Sequence, residues 1–177
     1  MNSKTGTQTA TTRAIRKTIL LVDDDPSVRE MVGRVLVGEG YLVLCATNGE
    51  EALGMAEANH IDLVMLDLNM PVQGGWDTFE RLTTRDPLIA VIIITARPNQ
   101  LFTALGAGVG ALLEKPFDFP TLIKTVKTLM TESTELRLAR IGHISEGYRS
   151  QKRVLNSWLL RGEDGEKRML DSSLLHG

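Results

Sequence analysis

The sequence predicts an α/β fold in which helices cover both faces of one doubly wound parallel sheet. Five short apolar runs alternate with segments whose apolar residues recur at helical spacing. Continuous apolar runs are typical of parallel strands, because helices bury both of their faces. The hydrophobic fraction of 42% is enough for such a core. A regular β-α alternation of this kind predicts a single sheet between two helix layers.

The five predicted strands are short, and most of them end at a polar residue. Val, Ile and Leu dominate them, as expected for buried strands. The predicted strands are Thr18–Val22, Tyr41–Ala46, Leu63–Asp67, Ala90–Thr95 and Ala111–Glu114.

Capping residues predict where several helices begin. Asp25 before Pro26 is a typical N-cap, and Asn48 and Asp118 are placed to cap later helices. The turn-rich segment 70–75 separates the third strand from a third helix. Helices are predicted over about 26–38, 49–58 and 98–105; a further one is indicated by Trp76, Phe79 and Leu82, and the last follows Asp118 and includes Leu122 to Met130.

Bulk composition narrows the class of protein. A single cysteine, Cys45, excludes an internal disulfide framework, and its apolar surroundings predict a buried, unreactive thiol. No apolar stretch is long enough to span a membrane, and residues 1–17 lack the apolar core of a secretory signal, so we expect a cytoplasmic protein. The short, mixed basic termini favour a solvated surface over nucleic-acid binding.

Residues suited to phosphoryl chemistry stand at the ends of four predicted strands. They are Asp23 and Asp24, Asp67, Thr95, and Lys115. The carboxyl ends of parallel strands meet at one edge of the sheet, where ligands bind in such folds. Clustered carboxylates raise one another's pKa values unless a cation intervenes, and oxygen ligands suit Mg²⁺. The sequence therefore predicts a magnesium site beside a carboxylate that can act as a nucleophile.

These residues resemble the receiver domain of two-component response regulators. The resemblance rests on Asp23-Asp24, on Asp67 within the segment Leu-Asp-Leu-Asn-Met-Pro at 66–71, on Thr95-Ala96, and on Lys115-Pro116-Phe117. It covers roughly residues 17–132, and the functional positions match in order and in strand context. It implies a flavodoxin-like sheet with strand order 2-1-3-4-5.

The resemblance also implies the metal ligands. Asp24 and Asp67, with the backbone carbonyl of Asn69, would bind Mg²⁺, and Asp23 would act mainly through a water molecule. Mg²⁺ is the only cofactor implied.

Asp67 would be the phosphoacceptor, charged by a sensor histidine kinase or a phosphotransfer protein. Thr95 and Lys115 would bind the phosphoryl group, and Thr95 would move toward it on activation. The Lys115-Pro116 peptide bond would be cis. One position departs from the family pattern, because Leu112 stands where the family usually has Tyr or Phe. This puts the coupling between the threonine and an aromatic ring in doubt.

The chain divides into a disordered arm at 1–17, a receiver domain at 18–132 and a short helical extension at 133–177. Apolar residues of the extension follow a heptad pattern from Ile141 to Trp158, which indicates an amphipathic helix that packs on the receiver or on a partner. A small DNA-binding segment is an alternative, although the spacing from Ala139 to Gly142 is one residue short for a helix-turn-helix.

The predicted function is a response regulator that switches a protein–protein interaction surface when Asp67 is phosphorylated. It would not be an enzyme beyond its own phosphorylation and dephosphorylation. The alternatives are a transcriptional regulator and a dimeric adaptor that works through the extension; a phosphorylation-dependent homodimer also stays open. A phosphatase acting on external substrates is disfavoured, because Asn69 occupies the place of the second aspartate that haloacid-dehalogenase-like enzymes use.

Overall fold

The fold is one five-stranded parallel sheet between two layers of helices. The computed structural model of the protein describes residues 16–70, 74–96, 104, 107–139 and 141. Its strands lie in the order β2-β1-β3-β4-β5, all parallel. The predicted fold class and strand order are therefore confirmed. The strands are β1 (Thr18–Val22), β2 (Leu42–Ala46), β3 (Leu63–Asp67), β4 (Ala90–Thr95) and β5 (Ala111–Glu114).

Three of the four described helices begin at the predicted caps, and the third along the chain begins after Gly74 without a side-chain cap. Asp25 accepts a hydrogen bond from the Ser27 N–H, Asn48 from the Glu51 N–H, and Asp118 from the Thr121 N–H. The helices are α1 (Pro26–Gly38), α2 (Gly49–Ala58), α3 (Gly75–Arg85) and α4 (Phe119–Thr131). The helix predicted at 98–105 lies outside the described residues, except for Ala104.

The alternating side chains of the central strands supply two cores, one on each face of the sheet. Leu20 and Leu66 point to the face covered by α2 and α3, where Phe79 and Leu82 are buried. Leu21 points to the opposite face, which α1 and α4 cover. The buried residues of those two helices are Val32 and Leu36 from α1, and Leu122, Val126 and Leu129 from α4.

The edge strand β2 corrects one expectation. Cys45 is exposed, because β2 has a neighbouring strand on one side only and its flank is open to solvent. Partial burial still raises the pKa of the Cys45 thiol. A raised pKa keeps the thiol protonated, so low reactivity is still expected although the residue is exposed.

Residues 107–110, before β5, include a turn, and glycine is needed there for packing too. A Cβ atom at Gly110 would lie 2.8 Å from a Leu129 methyl and 3.0 Å from the Val91 carbonyl oxygen. Gly108 has a φ of +80°, a conformation that favours glycine.

The first residues after α4 pack against the end of the sheet at which the strands begin. Residues 134–139 are helical. The Arg137 guanidinium donates to the carbonyl oxygens of Leu88 (2.7 Å) and Leu129 (3.1 Å) and to the Glu132 carboxylate (3.3 Å). Leu88 lies just before β4, so this contact is at the amino-terminal ends of the strands, which we call the amino edge of the sheet. The opposite side, where the strands end, is the carboxyl edge.

Ile141 extends the contact with the amino edge, since a Cβ atom at Gly108 would lie 3.8 Å from its Cγ1. The predictions for residues 1–15 and 142–177 lie outside the described residues, as does most of the heptad pattern. Across the described ranges, no helix is both long enough and apolar enough to cross a membrane.

Candidate phosphoacceptor site

Four neighbouring strands bring the predicted site residues to the carboxyl edge. Asp67 is the last residue of β3 and Thr95 the last of β4, while Asp23 follows β1 and Lys115 follows β5. In the register of the sheet, Asp67 is paired with Ile94, and Thr95 with Glu114. Residues that are up to 92 positions apart in sequence therefore meet in one pocket.

Three carboxylates form the centre of this pocket. Asp23, Asp24 and Asp67 each offer one oxygen, and these oxygens lie within 4.8 Å of one another. Asp23 and Asp67 are buried, whereas Asp24 faces solvent. An all-oxygen donor set that is open on one side fits a hard divalent cation that keeps several water ligands.

Lys115 links two of these acids. Its Nζ lies 2.8 Å from Oδ2 of Asp23 and 2.7 Å from Oδ2 of Asp67. Burial works against the ammonium, but its hydrogen bonds to both carboxylates outweigh that effect and raise the pKa of Lys115. Burial also raises the pKa of Asp23, although hydrogen bonds from Lys115 and from the Asp25 N–H oppose this rise. Among the described residues, the pocket thus holds three carboxyl groups, two of which share the Lys115 ammonium.

Asn69 connects the acids to Thr95. Its backbone N–H donates to Oδ1 of Asp67 at 2.8 Å, and its side-chain amide donates to the Thr95 hydroxyl at 3.4 Å. Thr95 is fully buried at the end of β4. Asn69 therefore bridges Thr95 and Asp67, and in the sheet β4 with Thr95 lies on the side of β3 opposite to β1, which Asp23 follows.

Comparison with known proteins identifies this arrangement. A family model described as the response regulator receiver domain matches residues 19–127, more than half of the chain. This chain belongs to the response regulator receiver family. Receiver domains are signalling modules of two-component systems rather than conventional enzymes.

Solved receiver structures have the same fold. The response regulator TrrA from Thermotoga maritima, solved in complex with Mg²⁺-BeF, is 34% identical and has a TM-score of 0.60; the match covers 64% of this chain and 98% of that one. The chemotaxis protein CheY4 of Vibrio cholerae is 30% identical, with a TM-score of 0.62, over 65% of this chain and 99% of its own.

Curated relatives are longer than this chain. The transcriptional regulatory protein CpxR of Escherichia coli is 38% identical over 119 residues, which are 65% of this chain and 50% of CpxR. The chain thus spans about half the length of the curated relatives it matches. The transcriptional regulatory protein AruR of Pseudomonas aeruginosa is 33% identical over 172 residues, covering 90% of this chain and 67% of AruR. That similarity extends beyond the receiver portion.

The structure brings together the side chains that the sequence predicted for the receiver site, namely Asp23, Asp24, Asp67, Thr95 and Lys115. Their individual roles, and that of the Asn69 carbonyl, stay predictions. The Lys115-Pro116 peptide bond is cis, as expected.

Leu112 lies beside Ile93 of β4 and packs, partly buried, against the core under α2 and α3. An aliphatic side chain thus occupies the position where the family usually has a ring. Whether this position couples to Thr95 stays open, as the sequence left it.

Gly75 is a site residue that sequence analysis assigned only to a loop. It is the first residue of α3, and a Cβ atom there would lie 2.5 Å from Cα of Leu68 and 2.6 Å from the carbonyl oxygen of Asp67. Both are backbone atoms, which cannot move without displacing the end of β3. The tandem glycines at 74–75 were the available signal, but turn chemistry alone did not show which of them is constrained.

Proposed function

We propose that Asp67 accepts a phosphoryl group from a phosphohistidine on a sensor kinase or phosphotransfer protein. The observation that carries this proposal is the position of Lys115, whose ammonium contacts Oδ2 of both Asp67 and Asp23. A cation held at the nucleophile can neutralise charge on an incoming phosphoryl group without moving far. The family of the chain and the carboxylate cluster support the same function.

The transfer exchanges one phosphorus bond for another. A carboxylate oxygen of Asp67 attacks phosphorus while the P–N bond to the donor imidazole breaks, and the electron pair leaves with the imidazole. The product on Asp67 is an acyl phosphate. Because such transition states are loose, positioning and charge neutralisation provide most of the catalysis.

Lys115 and Thr95 stabilise the product. The Lys115 ammonium moves from its carboxylate partners to a phosphoryl oxygen, as a charge-assisted donor. The Thr95 hydroxyl accepts from Asn69 in the unphosphorylated protein and can instead donate to a second phosphoryl oxygen. Phosphorylation therefore changes the partners of β4 and of the segment after β5, and this change alters the surface offered to a downstream protein partner.

The acidic pocket would hold Mg²⁺ through Asp24, Asp67 and the Asn69 carbonyl, with Asp23 acting through water. When bound, the ion would supply the positive charge that Lys115 alone does not provide against three carboxylates. Slow hydrolysis of the acyl phosphate at the same site would return the protein to its resting state.

Labelling by a small phosphodonor tests this function. Incubation with acetyl phosphate and Mg²⁺, followed by intact mass spectrometry, is expected to show one added phosphoryl group. The group should be absent without Mg²⁺ and absent from Asp67→Asn, while the control Asp77→Asn, altered at an exposed α3 residue, should be labelled normally. Labelling of Asp67→Asn to the wild-type level would refute the assignment.

Regulation of transcription is a second candidate for the output. Both CpxR and AruR are named as transcriptional regulatory proteins, and the AruR match extends past the receiver portion of this chain. A gel-shift assay with the full chain, with and without acetyl phosphate, tests DNA binding. Binding that weakens steeply with salt would support this output, and absence of binding at low salt would exclude it.

A further inference from the structure

Arg29 makes an unusual contact for a helix-surface arginine. It is the fourth residue of α1 and is half-buried. Its Nη1 donates to the backbone carbonyl oxygen of Asp23 at 2.6 Å. The guanidinium therefore turns back over the segment between β1 and α1, which carries the acidic pair.

The other polar groups of Asp23 are bound as well. Its N–H donates to the Ala46 carbonyl at 3.2 Å, Oδ1 accepts from the Asp25 N–H at 2.9 Å, and Oδ2 accepts from Lys115 at 2.8 Å. The hydrogen bond from Arg29 completes this set. The hydrogen bond from Arg29 is made to the carbonyl of the peptide group that joins Asp23 to Asp24.

That peptide group controls the exposed member of the carboxylate cluster. A peptide unit is planar, so fixing the Asp23 carbonyl also fixes the N–H and Cα of Asp24. Among the described residues, none donates a hydrogen bond to the Asp24 carboxylate. The direction of that carboxylate is therefore set mainly by its own backbone.

We propose that Arg29 is a positioning residue for the divalent-cation site. By holding the Asp23 carbonyl, it fixes the Asp23–Asp24 peptide and directs the Asp24 carboxylate toward the oxygens of Asp23 and Asp67. This inference rests on the proposed function, in which the pocket binds Mg²⁺. Side chains that orient metal ligands without touching the metal contribute strongly to metal affinity in other sites.

The positive charge of Arg29 disfavours cation binding, whereas its hydrogen bond favours it. A guanidinium near the pocket repels Mg²⁺, so removing the charge alone should tighten binding. Removing the hydrogen bond should weaken binding. The two contributions therefore predict opposite signs for the same substitution, which makes the role of Arg29 measurable.

Calorimetric titration of Mg²⁺ into the full chain, without a phosphodonor, tests the proposal. We expect Arg29→Ala to weaken Mg²⁺ binding by about tenfold. Arg29→Lys keeps the charge and one donor and should fall between Arg29→Ala and the wild type. Arg34→Ala removes the same charge from an exposed position of α1 and should bind Mg²⁺ like the wild type.

Each other outcome has a distinct meaning. Tighter or unchanged binding by a folded Arg29→Ala would overturn the positioning role, because charge alone would then account for the residue. Circular dichroism establishes whether each variant is folded. If Arg29→Ala unfolds, Arg29→Lys provides the test. Wild-type Mg²⁺ affinity in Arg29→Lys, together with a displaced NMR signal of the Asp24 amide, would also overturn the positioning role. Absence of Mg²⁺ binding by the wild type would instead overturn the proposed function, and this inference with it.

Discussion

The two edges of the sheet hold their acidic groups in different ways. At the amino edge, Asp62 accepts from Lys17 Nζ at 2.7 Å and from the Thr18 N–H at 2.8 Å, and Arg137 closes the end of α4. At the carboxyl edge, Asp23 and Asp67 share Lys115, and the Asp24 carboxylate lies beside them. Asp62 thus has a lysine partner of its own, whereas at the carboxyl edge two carboxylates share one lysine and a third lies close to them.

The pKa shifts of one acid from each edge follow this difference. Burial opposes ionisation of Asp62, but its bonds to Lys17 and Thr18 lower its pKa. Burial of Asp23 raises its pKa despite Lys115. Ionised Asp62 therefore stabilises the fold, and ionised Asp23 is held at a cost. Such a cost is expected where charge is kept available for a ligand.

The largest effect is expected from Gly75→Ala at the carboxyl edge. The new methyl group would collide with the backbone at Leu68 and Asp67, and overpacking of this kind costs about 3 kcal/mol. Urea denaturation measures the change, and phosphorylation of Asp67 should fall with it. Gly74→Ala is the matched control, because nothing lies within 4 Å of a Cβ atom there. Equal losses of stability in the two variants would contradict the close contact.

A smaller loss is expected from Arg137→Ala at the amino edge. The substitution removes donors from the Leu88 and Leu129 carbonyls and the charge partner of Glu132, which should cost about 2 kcal/mol. The free energy of unfolding of the full chain is the measurement. Arg34→Ala, at an exposed arginine paired with Glu30, should change it by less than about 0.5 kcal/mol. Similar values for both variants would show that the amino edge does not depend on Arg137.

The loss of folding stability at acidic pH tests the contribution of Asp62. Because its pKa is lowered in the folded state, its contribution is present above the ordinary value of 3.8 and is lost as pH falls through the folded value. Asp62→Asn should remove about 1 kcal/mol at neutral pH and flatten the loss of stability in acid. Thermal melts between neutral pH and acid measure this. An unchanged slope would mean that Asp62 does not contribute to the acid sensitivity.

Asp23→Asn should give the smallest change in stability, with the opposite sign. Since the pKa of Asp23 is raised, the folded state holds its proton more tightly, so stability declines as pH rises from 3.8 through the folded value. Without Mg²⁺, the variant should lack this decline and gain stability at neutral pH, because a buried charge is removed. The gain should be about 1 kcal/mol or less, because Lys115 loses a partner at the same time. A clear loss of stability instead would mean that the bond to Lys115 outweighs burial.

Sequence reasoning worked best where a local pattern determines the structure. Buried strands can be recognised as apolar runs, and the caps Asn48 and Asp118 can be recognised from their own side chains. The convergence of Asp67, Thr95 and Lys115 followed from the rule that parallel strands end at one edge. These features depend on neighbours in sequence or on a topological rule.

Features that depend on contacts formed only in the folded chain were missed or misjudged. The exposure of Cys45 depends on β2 lying at the edge of the sheet, which its apolar neighbours do not reveal. The constraint on Gly75 comes from the backbone of β3, and the contact of Arg29 is with a carbonyl six residues earlier. Arg137 looks like any surface arginine until α4 and the segment before β4 are brought together in space.

The Arg137 contact also has a practical consequence for protein engineering. A reporter protein fused after Ile141 would begin at the amino edge, on the far side of the sheet from Asp67. Its attachment would leave the carboxyl edge open to a phosphodonor, and three hydrogen bonds would hold the start of the junction in one orientation. The receiver should thus tolerate a label at this end and still report on its own phosphorylation.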